Sequence, residues 1–306
     1  MPGTTPDPLH PVHDAVPADP LPVTVVAEWE TGTFLENLAH APDGGWWVTS
    51  PHHCRVEQVG ADGVVRHSVR FPGPVTGIVA DLADEHQALV AGADPDHGSW
   101  TLYQISDGVA VPLCPLPGVA FANGMTWYGT QLVIADSTRG ALVAVDPRSG
   151  RVDIVREDEL LAPANPQLPL PGVNGLTVDA SGDLLLTNTS RSQLLRLHGG
   201  LADGALTVAA DRLVGDDLAA HPDGNVYIAT HTYHSVLRLD VDGNRSDVAT
   251  YAQGVAGPTA VALAPDRMSL FVCTTGGLLS PAADAPEPAR LLRIDLRAAR
   301  DDDSWI

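Results

Sequence analysis

The feature that most constrains this chain is a sequence unit that recurs six times, beginning at positions 36, 76, 123, 174, 216 and 259. The copies therefore lie 40 to 51 residues apart. In the copy that starts at Asn174, a polar residue precedes an apolar run, an Asp-Ala-Ser-Gly turn and two further apolar runs. Short apolar runs with β-branched members, separated by Gly, Asp and Ser, are typical of strands and hairpins.

A repeat of this length with four short strands in each copy indicates a β-propeller, because helical repeats would show a 3.6-residue period. We therefore predict an all-β fold, a six-bladed β-propeller. The last copy has only three strands, at 259–264, 268–273 and 289–294, whereas the strand at 22–29 has no blade of its own. We expect this N-terminal strand to complete the last blade and close the ring, so that no sheet edge is left unpaired.

Composition restricts the remaining choices. Residues 1–21 are rich in proline and predict a disordered arm, residues 22–298 a single propeller domain, and residues 299–306 a flexible tail. The net charge of −21 argues against nucleic-acid and membrane partners, which are themselves anionic. The chain has no lysine, which excludes Schiff-base chemistry. Three widely spaced cysteines and the lack of a signal peptide favour a cytoplasmic location.

The first position of each copy lies at the entry to an innermost strand, so six such residues surround one mouth of the channel. Any one polar residue there is ordinarily a turn former, but two carboxylates and two carboxamides at one repeat position suggest a shared role. Their hard oxygen donors suit Ca²⁺, with Mg²⁺, Mn²⁺ or Zn²⁺ as alternatives, and the ring has no histidine or cysteine to favour zinc. The six residues are Glu36, Thr76, Asn123, Asn174, Asp216 and Thr259.

The segments ENLAHAPDG, FANGM, VNGLTVDASGDLLLT and GDDLAAHPDGNVYIA resemble the senescence-marker-protein/gluconolactonase (regucalcin) family, which is related to diisopropylfluorophosphatase and paraoxonase. The resemblance covers nearly the whole chain. It implies a single catalytic divalent ion in the channel, held by the residues that match the family's ligands in blade order. These are Glu36, Asn123, Asn174 and Asp216.

The chain also departs from the sugar lactonases of that family. They carry an Arg two residues before the blade-three Asn and an Asp just after it, where this chain has Phe121 and Gly124. We therefore expect an apolar small-molecule substrate, contacted by residues of the inner strands and of the loops at the same mouth. The predicted substrate contacts are Thr76, Phe121, Met125, Arg191 and Tyr233. Two long loops, 157–172 and 276–288, carry leucines that we expect to cover the mouth.

These observations predict a Ca²⁺-dependent hydrolase of a lactone or ester, in which the ion polarises the carbonyl. The predicted catalytic residues are Asp216, His231 and His52, because a carboxylate or a loop histidine beside the ion can accept a proton from water. No Gly-x-Ser-x-Gly sequence supports a serine nucleophile. One alternative keeps the metal pocket for a non-hydrolytic isomerase or cyclase, and a second is a non-catalytic propeller scaffold.

Overall fold

The computed structural model describes residues 12–84 and 87–297, and the regular structure of these residues is almost entirely β-strand. They form six sheets of four antiparallel strands each. The predicted six-bladed β-propeller is therefore confirmed. The helices of the described residues are single 3₁₀ turns, and none is long and apolar enough to cross a membrane.

Each of the first five blades runs in chain order from an inner strand at the channel to an outer strand at the rim. Blade one comprises β2 (Leu38–His40), β3 (Trp46–Ser50), β4 (Arg55–Val59) and β5 (Val65–Arg70). Blade two comprises β6 (Val75–Ala80), β7 (Ala88–Asp94), β8 (Ser99–Ser106) and β9 (Val109–Leu116). Blade three comprises β10 (Ala122–Tyr128), β11 (Gln131–Asp136), β12 (Ala141–Asp146) and β13 (Arg151–Glu157). Blade four comprises β14 (Val173–Val178), β15 (Leu184–Asn188), β16 (Gln193–His198) and β17 (Ala205–Ala210). Blade five comprises β18 (Leu218–Ala220), β19 (Val226–Ala229), β20 (Ser235–Leu239) and β21 (Arg245–Thr250).

Blade six joins the two ends of the chain. It contains β22 (Pro258–Leu263), β23 (Ser269–Thr274) and β24 (Pro288–Asp295), and its outer strand is β1 (Val23–Thr31). The antiparallel register sets Val23 opposite Ile294 and Trp29 opposite Ala289. The predicted closure by the N-terminal strand is confirmed, and it pairs the strand edge that blade six would otherwise expose.

The hydrophobic core lies between neighbouring blades rather than at one centre. Leu184 and Leu186 of blade four, for example, pack with Val133 and Ala135 of blade three. Because each sheet has a neighbour on both faces, the second strand of a blade is apolar on both sides, as the sequence LLLTN of β15 illustrates. This packing holds the inner strands around the channel and fixes the positions of the residues at its mouth.

Residues 12–21 do not form the disordered arm that the sequence predicted. Asp247 N–H donates to Pro17 O at 2.9 Å, and Leu21 N–H donates to Val248 O at 2.8 Å, so the segment adds a parallel partner to the outer strand of blade five. Val16 packs against the core between blades four and five, and Leu21 is buried. The sequence did not predict this docking because residues 12–21 lack the alternation of apolar and polar residues that indicates a strand. The rest of the predicted arm, residues 1–11, and the predicted tail lie outside the described residues.

One leucine of the first long loop lies in the core instead of over the mouth, and the apolar cover by the other leucines stays a prediction. Leu161 is fully buried in the core between blades three and four, where Val173 N–H donates to its carbonyl at 2.8 Å. This leucine therefore anchors its loop between the blades instead of covering the channel mouth. In the second loop, Leu279 faces solvent with 63% of its surface exposed.

Candidate active site

The inner strands begin at one end of the channel, and their first residues contact the next blade. Thr76 Oγ1 donates a 2.8 Å hydrogen bond to Ala122 O in blade three. Thr259 Oγ1 donates a 2.8 Å bond to Leu35 O in blade one. Both hydroxyl groups are buried in the channel wall, so Thr76 has a structural role where the sequence predicted a substrate contact.

Asp216 is the most connected side chain of this ring. Its Oδ1 accepts a 2.6 Å hydrogen bond from Asn174 Nδ2, and its Oδ2 lies 2.9 Å from His231 Nδ1. Asn174 Nδ2 also donates to Thr189 Oγ1 at 3.0 Å. Asn174 and Asp216 are both buried, so these contacts form in a region of low dielectric constant. The predicted ligands of blades four and five and the predicted catalytic histidine therefore form one continuous chain of contacts.

The backbone around His231 is unusual. A single 3₁₀ turn, His231–Tyr233, connects β19 to β20, and His231 itself has a φ of +48°. A non-glycine residue in the left-handed region costs free energy, and such residues concentrate at functional sites. The turn is held by the buried Thr230, whose Oγ1 donates to Ser235 O at 2.8 Å.

The two ring nitrogens of His231 have different surroundings. An ionised carboxylate only accepts hydrogen bonds, so the contact with Asp216 assigns the proton to Nδ1 and leaves a lone pair on Nε2. Within the described part of the chain, the buried Nε2 has no hydrogen-bond partner. A buried, unpaired acceptor beside a carboxylate is the arrangement expected of a general base.

His52, the second predicted catalytic histidine, lies in the outer part of the site. Its ring stacks at a tilt on Phe34, with 5.0 Å between the centroids, and Phe34 meets the edge of His231 at 6.1 Å. His52 is exposed, and within the described residues it forms no ion pair with the ring carboxylates. The structure thus places His52 at the rim and His231 at the acidic centre.

The acidic centre carries more negative charge than its neighbours balance. Glu36 is half-buried, and desolvation followed by repulsion from Asp216 and Asp217 raises its pKa well above the ordinary value. Desolvation is also the main cause that raises the pKa of Asp217 to about 7. Among the described residues, no arginine lies within ion-pair distance of Glu36, Asp216 or Asp217. This pocket therefore favours a bound cation.

Whether a cation fits depends on the amide oxygens as well as on the carboxylates. The described residues contain no group of three or more His, Cys, Asp or Glu placed to hold a metal, so carboxylates alone would not suffice. Asn123 is 2% exposed, and within the described residues its Oδ1 lacks a hydrogen-bond partner. Rotation of the Asn174 amide exchanges its nitrogen and oxygen, which are otherwise equivalent in shape. Two carboxylates and two amide oxygens are the donor chemistry that calcium uses, and the residues present fit it.

Sequence reasoning missed Asp217, although its signal was present. In blades two, three and four, the ring position is followed by Gly77, Gly124 and Gly175, and in blade five it is followed by Asp217. A Cβ on Gly175 would lie 2.5 Å from the Asp217 Cα, so this glycine leaves room for the backbone and side chain of the acid. The second consecutive aspartate therefore adds a carboxylate one layer below the ring.

Two predicted substrate contacts make contacts within the protein. Met125 is buried beside Gly77 and lines, together with Asp217, a cavity of about 260 Å³ within the channel. Arg191 Nε donates to Ala162 O at 2.9 Å and thereby fastens the loop that enters blade four. Contact of either residue with a substrate stays a prediction.

The other two remain at the surface on the side of the mouth. Phe121 has 36% of its surface exposed and meets the edge of Trp100, with 5.5 Å between the centroids. Tyr233 is 43% exposed and stacks on His13 at 4.6 Å. Their rings are available at the rim, and their role toward a substrate stays a prediction.

Comparison with known proteins confirms the fold. No protein-family profile and no curated protein sequence matches the chain. A solved structure of the calcium-binding protein regucalcin from Agrobacterium tumefaciens aligns with a TM-score of 0.68 at 17% identity, over 92% of this chain and 95% of its own. Aldose sugar dehydrogenase from Streptomyces coelicolor, with bound PQQ, gives 0.61 at 18% identity over 92% and 99%. Virginiamycin B lyase from Staphylococcus aureus gives 0.62 at 11% identity over 90% and 99%. At such identities the likeness extends to the fold, and function has to be argued from the site.

Proposed function

We propose that the protein is a divalent-cation-dependent hydrolase of a lactone or ester of low polarity. The observation that carries the proposal is the contact between the buried Asp216 and the half-buried His231, beside carboxylates that no arginine neutralises among the described residues. A base and an unbalanced anionic pocket in one place are what the attack of water on a carbonyl requires.

Four residues would hold the cation: Glu36, Asn123, Asn174 and Asp216. When bound, the cation supplies a Lewis acid that polarises a carbonyl oxygen and offsets the charge that develops on it. Calcium is the first candidate because its donors are oxygen atoms, and the regucalcin with the same fold is a calcium-binding protein.

His231 takes the proton. Asp216 Oδ2 holds the Nδ1–H at 2.9 Å, which fixes both the ring orientation and the tautomer, so Nε2 can accept a proton from water. The positive charge that this transfer leaves on the ring is stabilised by Asp216. His52 would contribute at the rim by packing Phe34 against the His231 ring.

The low polarity of the substrate follows from the side chains that surround the mouth. The Arg139 guanidinium is bound to Glu157 and to Gly118 O, and the Arg191 guanidinium is bound to Ala162 O. These contacts occupy part of both guanidinium groups. Phe121, with 36% of its surface exposed, offers aromatic surface, whereas a sugar would lose water from its hydroxyl groups without gaining partners.

A second candidate is an elimination or isomerisation that begins with removal of a proton from carbon. The unpartnered Nε2 of His231 favours it equally, because the same base can accept a proton from carbon or from water. Virginiamycin B lyase, which shares the fold, is catalytically inactive when one of its histidines is replaced by alanine. Product analysis in H₂¹⁸O distinguishes the two candidates, since only hydrolysis adds the label to the product.

The first test is cation binding. Titration of the purified protein with Ca²⁺ in a calorimeter should give one site, and Glu36→Gln should weaken it at least tenfold because half of the ring charge is lost. Glu159→Gln removes the same charge from a side chain that is 90% exposed on a neighbouring loop and should bind like the wild type. Equal affinity of the two variants would overturn the assignment of the ring.

The second test is turnover. The purified protein is assayed on a panel of aryl esters and aliphatic lactones, with Ca²⁺ and with chelator. We expect hydrolysis that chelator abolishes, and a lower rate on gluconolactone than on the panel. His231→Asn should lower kcat about 100-fold or more. His97→Asn breaks an exposed His–Asp pair with a similar Nδ1–Oδ2 distance, 2.9 Å, and should leave kcat unchanged. Full activity of His231→Asn would refute the role of the base.

A further inference from the structure

The segment that precedes the first strand reaches the same site. His13 is half-buried, and its ring stacks on Tyr233 with 4.6 Å between centroids and 28° between planes. Its Nδ1 accepts a 3.1 Å hydrogen bond from Val214 N–H. Tyr233 lies two residues after His231, and Val214 lies two residues before Asp216. One side chain therefore touches both of the chain segments that carry the acid–histidine pair.

The segment is held firmly on either side of His13. Val12 N–H donates to Ser192 Oγ at 2.8 Å, and Asp14 N–H donates to Arg212 O at 3.1 Å. The Asp14 carboxylate accepts from Arg212 Nε at 2.8 and 2.9 Å. These contacts lie on blade four and on the connection into blade five, so the segment has little freedom to carry His13 away.

The turn that His13 supports needs external support. His231 and His234 both have left-handed φ values, of +48° and +54°, and such a backbone persists only where its surroundings enforce it. Thr230 secures the start of the turn, and His234 Nδ1 accepts from Gly257 N–H at 3.0 Å near its end. The ring of His13 stacks on the last residue of the turn, Tyr233.

We propose that His13 is a positioning residue, which fixes the Asp216–His231 pair by bridging Val214 and Tyr233 from the N-terminal segment. This inference rests on the proposed function for its effect on turnover, but its structural content is independent of the reaction. The N-terminal segment is then part of the active site, and its loss changes the site without opening a blade.

The two contacts of His13 can be separated by substitution. His13→Phe keeps the stacking on Tyr233 and removes the acceptor, whereas His13→Asn keeps an acceptor and removes the stacking. His13→Ala removes both. The matched control is Asp19→Asn, which breaks the 3.0 Å ion pair of the same segment with Arg238, away from the mouth.

Hydrogen exchange followed by mass spectrometry tests the bridge without a substrate. In His13→Ala, amides of residues 230–236 should exchange about tenfold faster, as expected when a strained turn loses its support. His13→Phe and His13→Asn should each show part of this change, and Asp19→Asn should match the wild type. NMR of the His231 ring should show loss of the hydrogen-bonded Nδ1 proton in His13→Ala alone among the four variants.

Turnover completes the test. For a substrate found in the panel, His13→Ala should lower kcat about tenfold with little change in KM, because a displaced base affects the reacting state more than binding. If exchange and the His231 signal are the same in His13→Ala and Asp19→Asn, the bridge has no positioning role and the inference is overturned. If they differ but the wild type has no activity, the proposed function fails and the positioning role stands. If His13→Ala does not fold, hydrogen exchange of His13→Phe and His13→Asn decides, and exchange equal to that of Asp19→Asn in both variants overturns the inference.

Discussion

At the scale of single residues, the site concentrates features that reduce stability. His231 occupies a left-handed conformation, and Glu36 and Asp217 hold carboxyl groups in a poorly solvated place. Each of these features costs free energy that packing elsewhere has to offset. Their coincidence around Asp216 is what marks this part of the channel as the candidate site.

The backbone strain at His231 can be measured directly. His231→Gly and His231→Ala both remove the imidazole, but only glycine adopts a φ of +48° without a steric penalty. We expect His231→Gly to be more stable than His231→Ala by about 1 kcal/mol, the usual cost of a left-handed residue. Urea unfolding of the two variants measures this difference. Equal stabilities would show that the turn relaxes when the ring is lost.

Asp217 predicts an unusual dependence of stability on pH. Its pKa is about 7 in the folded protein and near the ordinary 3.8 in the unfolded chain, so the folded state binds the proton more tightly. The resulting destabilisation develops as pH rises from about 4 to 7 and is complete above 7. The cation-free protein should therefore gain stability when the pH falls from 8 to 6, and the raised pKa of Glu36 acts in the same direction.

Replacement of the acid tests this dependence. Asp217→Asn should raise the urea midpoint of the cation-free protein at pH 8 and flatten its rise toward pH 6. Saturating Ca²⁺ should also flatten it in the wild type, because a bound cation compensates the same charge. A lower midpoint for Asp217→Asn at pH 8 would contradict the assignment of the shift to burial.

Residue patterns predicted the ring better than its surroundings. The four proposed ligands were found because they share one position of a repeat, which fixes their place in the fold. The repeat gave the strand of Met125 and the loop of Arg191, but it could not show that Met125 shares a cavity with Asp217 or that Arg191 donates to Ala162 O. His13 had no signal, since it stands outside the repeat and its contacts join residues about 200 positions apart.

At the scale of elements, the two N-terminal pieces have different tasks. Residues 12–21 add a parallel partner to blade five, whereas β1 supplies the fourth strand of blade six. The sequence predicted β1 from its alternating apolar residues and from the missing strand of the last blade. It did not predict the docked segment or the anchoring of Leu161, because both depend on cavities between blades that only the folded structure defines.

Truncations separate the two pieces. Deletion of residues 1–21 removes the buried Leu21 and the contacts of Val16 and should lower stability by about 2 kcal/mol or more while the protein stays soluble. Deletion of residues 1–31 also removes β1, leaves the edge of β24 unpaired and should cause aggregation. Light scattering and thermal unfolding measure the two effects. Equal solubility of both truncations would contradict the role of β1 in closure.

At the scale of the whole molecule, the proposed ligands come from blades one, three, four and five. A cation at their centre would link four of the six blades and bind only the folded ring. At a concentration 100 times the Kd, it should add about 2.7 kcal/mol to the free energy of unfolding.

This linkage predicts that the thermal midpoint rises with the logarithm of the Ca²⁺ concentration and returns to its starting value with chelator. Glu36→Gln should need at least tenfold more Ca²⁺ for the same rise and Glu159→Gln should respond like the wild type, and scanning calorimetry follows both. A rise that is the same in the two variants would show that calcium acts at some other place on this acidic surface.

The pairing of β1 with β24 has a consequence for how the protein is made. Glu28 and Arg290, which are joined across these strands, stand 262 positions apart, so the ribosome finishes five blades before the first strand meets its partner. Until β24 is synthesised, both edges of β1 have unpaired backbone N–H and C=O groups, to which a nascent-chain chaperone could bind. A translation product that stops before residue 288 then has its inner strands complete and no closed ring, which makes the last strand the step at which synthesis of this protein succeeds or fails.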